Sequence, residues 1–186
     1  MSAAKPSPRA EASILDRAAD ALLVLASERP WPQMTLREAA GRAGVDLADL
    51  YALAPGKEAL ARHASRRLDL AALRTAATPS EDPHDRLFDA TMARIEAMEP
   101  YRAALTEIAR AAPSLAARQF PATARAILEA AGLDPTPARL AAMTLAWARI
   151  AQVWRDDDGA LNRTMAEIDR RLRQMRDALG RIGAGF

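Results

Sequence analysis

The chain has 186 residues, half of them apolar, which is enough for one sizeable core or for a small head on a larger body. Its 26 basic and 24 acidic residues leave a formal net charge of +2, so global charge demands no polyanionic partner. The absence of cysteine excludes disulfides and thiolate metal sites and fits a reducing, cytoplasmic setting.

Alanine supplies 46 residues, β-branched and aromatic residues are scarce, and no run alternates with a period of two. This composition predicts an all-α chain. The N-terminal stretch Met1–Ala10 is rich in Pro and Ser, lacks the apolar core of a signal peptide, and reads as a flexible arm. No window of about 18 apolar residues offers a membrane-spanning helix.

The first predicted helix runs from Glu11 to Glu28, with Ile14, Ala18, Leu22 and Leu25 on one face, and Pro30 and Pro32 stop it. Thr35-Leu-Arg-Glu38 is a capping box opening a helix to about Ala43. Gly44 supplies the positive φ of a tight turn, and Asp46 caps a third helix to about Leu53. Pro55 suits the first turn of a fourth helix reaching about Arg74. A short linker, Thr75–Asp82, precedes a helix from Pro83 to Met98, and Pro100 starts or bends the next one, to about Ala112. Further helices are predicted over 121–131, ended by Gly132, over 137–155, opened by Thr136-Pro137, and over 162–182. Asp156-Asp157-Asp158-Gly159 breaks the last two apart and reads as a solvated turn. The expected division is an arm (1–10), a head (11–75) and a helical body (76–186).

The segment Thr35–Leu60 has two short helices joined at a glycine and a third opening near a proline, the layout of a helix-turn-helix. Its residues resemble the tetracycline-repressor (TetR) family of regulators. The likeness is carried by Ile14, Ala18-Ala19, Trp31, Thr35-x-Arg37-Glu38-x-Ala40, Ala43-Gly44-Val45, Ala48, Leu50-Tyr51 and Pro55-x-Lys57-Glu58-x-Leu60. It covers about 50 residues; the body matches only in helix count and size. Leu53 and Ala54 stand where the family usually has His or Tyr and then Phe, and Pro30 stands at a family glycine.

The resemblance implies a head that binds DNA as a homodimer and a body that takes a small apolar effector. It places Thr35, Arg37, Tyr51 and Lys57 at phosphates and Leu47, Ala48 and Ala52 near base edges. Against this, residues 1–60 carry seven Lys/Arg and eight Asp/Glu, two of them, Asp46 and Asp49, at the third helix. A shorter likeness, from Val153-Trp154-Arg-Asp-Asp-Asp158 to Thr164–Arg171, is to TetR-fold lipid-binding accessory proteins of ubiquinone biosynthesis. That likeness implies isoprenoid lipid binding, a head that no longer reads DNA, and peripheral membrane contact.

In the body, Phe88, Met92 and Ile95 share one helix face, as do Met143, Trp147, Ile150 and Trp154. They suit an apolar ligand pocket, a core or a subunit interface alike. In the last helix Ile168, Leu172, Met175, Leu179 and Ile182 form an apolar stripe beside many arginines. The stripe suits a dimer interface or, as a basic amphipathic helix, a membrane surface. His63 and His84 have no neighbour at metal-ligand spacing, and no catalytic constellation, phosphate loop or cofactor motif stands out. The expectation is a protein that is not an enzyme, with no cofactor and no metal, dimerising through its last two long helices.

Overall fold

The computed structural model describes residues 8–157 and 159–185, and side chains from Ser13 onward. Every regular element among them is helical. The first seven residues of the expected arm and Asp158 lie outside the described residues. Pro8–Ala10 belong to the first helix, which therefore starts earlier than the periodicity predicts.

The chain forms two compact units. The first takes the residues through Ser65 together with Ala103–Leu115; the second takes Arg66–Arg102 and the residues from Ala116 onward. A single cut near residue 75 is what linker composition suggests. Contacts far apart in sequence, such as the one from Trp31 to Glu107, are what return 103–115 to the first unit.

In the first unit α1 (Pro8–Glu28) packs on α2 (Leu36–Ala43) and α3 (Leu47–Leu53), and α2 packs on α3. A 3-10 turn, Trp31–Gln33, lies between α1 and α2. α2 begins with the expected capping box: the Glu38 backbone N–H donates to the Thr35 hydroxyl, and the Thr35 N–H donates to the Glu38 carboxylate. It ends at Gly44, whose φ of 61° is the left-handed region that a side chain resists. The core includes Ala18, Leu22, Trp31, Met34, Ala40, Leu50 and Leu60. Ala54, standing at a family phenylalanine, is buried too. Pro55 precedes α4 (Lys57–Arg74) rather than entering its first turn, because Gly56 turns the chain with φ at 122°.

In the second unit α5 (Pro83–Met98) and α9 (Pro137–Arg155) each pack on α8 (Phe120–Ala130) and α10 (Asn162–Arg181). Asp82 and Thr136 cap α5 and α9, each with proline in the first turn. Between α5 and α8 in sequence come α6 (Arg102–Ala111) and α7 (Pro113–Ala117), most of which belong to the first unit; α7 is too short to show a helical period and is not predicted.

Two sequence readings change here, and the histidines gain partners. Ile168, Leu172, Met175 and Leu179 are buried within the subunit, because α5 and α9 pack on α10; only Ile182 is exposed. Those four residues of the stripe are therefore core. Asp157 is not solvated: its carboxylate accepts the Thr164 N–H (2.9 Å) and hydroxyl (2.7 Å) and anchors the start of α10. The histidines are paired, His63 with Asp16 at 2.8 Å and His84 with Asp169 at 3.2 Å.

Buried charge is what composition did not announce. The Arg94 Nε donates to Asp69 Oδ1 at 2.7 Å, the Thr123 hydroxyl donates to the same oxygen at 2.9 Å, and all three residues are buried. Burial pulls the Arg94 guanidinium below its usual range, and the charge and hydrogen bond of Asp69 oppose that shift. Buried Glu167 is gripped by Arg171 and Arg170. Burial pushes its carboxyl up, and the two arginines together outweigh this and hold it below the usual carboxylate value.

Candidate nucleic-acid interface

The outer side of α2, the Gly44 turn and α3 forms an open, shallow groove. Leu36, Arg37, Asp46, Leu47, Ala48, Tyr51, Ala52 and Gly56 line it. Local sequence sets this surface. The capping box fixes where α2 starts, Gly44 sets the turn, and Asp46 caps α3 by accepting the Ala48 and Asp49 N–H groups on one oxygen (2.8 and 3.1 Å). Leu50 is turned wholly into the core, so positions 47, 48, 51 and 52 share the outer face. Tyr51 is 60% exposed.

Five of the seven residues placed at DNA by sequence resemblance thus meet in one groove: Arg37, Leu47, Ala48, Tyr51 and Ala52. The other two are turned to internal bonds. Thr35 gives its hydroxyl proton to Glu38 (2.9 Å) within the capping box. Lys57 points inward. Its ammonium donates to the carbonyls of Trp31 (2.7 Å) and Met34 (2.8 Å) and lies 4.8 Å from the centre of the Trp31 ring. Lys57 therefore fastens the 3-10 turn to the start of α4.

Glu107 of α6 completes that fastening by accepting the Trp31 N–H at 2.8 Å. This bond, followed by the one from Arg110, holds the Glu107 carboxyl below its usual value. Glu38 is likewise lowered, first by the Thr35 hydroxyl and then by Arg29. No spacing rule links residues 31, 57 and 107, so sequence reading passed over Glu107.

Neighbouring cations are spent on ion pairs. Arg42 makes a two-pronged pair with Glu28 (2.7 and 2.8 Å), and Arg29 pairs with Glu38 at 3.0 Å. Arg37 is exposed and makes no ion pair among the described residues. Asp49 is exposed but does not line the groove.

Of the residues proposed for an apolar pocket, Ile95, Met143, Trp147 and Trp154 are buried, and Phe88 and Met92 are half-buried. The two tryptophans are also platforms for cations. Arg94 lies 5.4 Å from the centre of the Trp147 ring, and Arg102 4.5 Å from that of Trp154. The Trp154 indole N–H donates to Glu99, which also pairs with Arg102.

No protein-family model matches the sequence, and no curated protein does. Solved structures do match. A TetR transcriptional regulator from Rhodococcus sp. RHA1 superposes with a TM-score of 0.66 at 20% identity, over 88% of this chain and 96% of that one. A second transcriptional regulator from the same organism gives 0.54 at 22% identity, with the same coverage. The chain has the fold of the TetR transcriptional regulators.

Proposed function

We propose that this protein is a DNA-binding transcriptional regulator, a repressor that works as a homodimer and takes a small apolar effector in its second unit. It is not an enzyme in this reading. One observation carries it: Arg37, Leu47, Ala48, Tyr51 and Ala52 converge on the open face of a helix-turn-helix. Arg37 and the Tyr51 phenol hold phosphate, and the small side chains of α3 let that helix approach base edges. Few cations face the groove, so affinity is modest and steeply salt-dependent. The effector acts by favouring one of two arrangements of the dimer.

The test is a salt titration of binding to duplex DNA by fluorescence polarisation. Arg37→Ala will weaken binding to all sequences alike and flatten the plot of log affinity against log salt by about one unit. An unchanged slope removes Arg37 from the phosphate contacts, and no binding at low salt removes the whole reading.

The assembly rests on what α9 and α10 leave outside. Leu145 is 73% exposed and Met165 36%, with Ala141 and Ala166 exposed on the same two helices. On this reading they lie at a two-fold contact through residues 137–155 and 162–182. Leu145→Arg is expected to convert a dimer into a monomer in light scattering at micromolar concentration. A wild-type monomer there contradicts the assembly.

A further inference from the structure

We infer that this head discriminates DNA sequences chiefly through the C5-methyl groups of thymine. The inference rests on the DNA-binding reading above and names what the same groove recognises. From α3 the groove receives Leu47, Ala48, Tyr51 and Ala52, of which only Tyr51 carries a hydrogen-bonding side chain, and the reading above assigns that phenol to phosphate. Asp46 is turned back on its own helix, its Oδ1 holding two backbone N–H groups. Lys57 is held by two carbonyls, and Thr35 by Glu38. Arg37 stands on α2, so on the outer face of α3 Leu47, Ala48 and Ala52 share the groove with one long polar side chain, Tyr51.

The major groove presents donors and acceptors at every base pair, and its one apolar feature is the thymine methyl. An alanine or leucine side chain gains nothing from displacing water at a guanine or cytosine edge, whose polar groups then lose their partners. At a thymine methyl it buries apolar area on both sides. Each methyl so buried is worth about fourfold in affinity.

The experiment uses the full chain. Bound duplexes are selected from a random pool at low salt, and the best is resynthesised with deoxyuridine for every thymine, which removes the methyls and keeps every hydrogen-bonding edge. The expected result is a loss of about fourfold per contacted thymine, and tenfold or more over a site. Deoxyuridine confined to positions outside the protected region should change nothing, and Ala52→Ser should draw the thymine-to-uracil ratio toward one. Binding that persists with an unchanged Kd on the uracil duplex overturns the inference and leaves the DNA-binding reading standing. An equal loss from uracil outside the protected region overturns it too. A pool from which nothing is selected overturns both.

Discussion

Asp69→Ala is expected to destabilise the second unit by about 3–5 kcal/mol, because it leaves the Arg94 charge buried without its carboxylate. For a chain of this length that lowers the melting temperature by roughly 10 °C. The side chains of Arg94 and Asp69 are 4% and 9% exposed, so water cannot take the place of the lost partner. Thr123, whose hydroxyl shares Asp69 Oδ1, loses its acceptor in the same step. Replacing both charges, Asp69→Leu with Arg94→Met, should cost less than the single change, since no charge is then stranded. Calorimetry or denaturant unfolding of the two variants decides the matter. If the double variant is the less stable of the two, the pair is not what holds this core.

Lys57→Met is expected to lower the stability of the first unit by about 2 kcal/mol, the scale of charge-assisted bonds at a half-exposed site. The Met34 carbonyl loses the ammonium, the Trp31 carbonyl keeps only the Met34 N–H, and the Trp31 ring loses its cation. Here the structure changes what the sequence resemblance implies. A lysine at a phosphate would flatten the salt dependence of DNA binding when removed. A lysine that fastens the 3-10 turn to α4 leaves the slope as it was and weakens binding only as the head loosens. Thermal unfolding followed by a salt titration below the melting temperature separates the two. A slope that falls by about one unit with stability intact would return Lys57 to the phosphate contacts.

Short-range chemistry wrote much of this protein legibly. The capping box at Thr35–Glu38, the left-handed Gly44, the caps at Asp46, Asp82 and Thr136 and the proline starts at 83 and 137 depend on a few adjacent residues. Each can therefore be read locally. Leu50, one of the residues that carry the family resemblance, is wholly buried, and the residues the resemblance puts at base edges lie on the opposite face of α3.

What the sequence by itself determined is the all-α class and the helix starts, caps and turn from Thr35 to Leu53. Tertiary structure alone decided which polar groups remain outside. Lys57 turned inward to Trp31, Glu107 closed on the same turn from 76 residues away, and Asp69, Arg94 and Thr123 met in the core. It also decided that the apolar stripe of α10 is core and that Leu145 is left uncovered. The reason is physical. Periodicity shows that a helix has an apolar face but not what covers it, and the partner of a buried charge is set by the folded path of the chain rather than by its spacing.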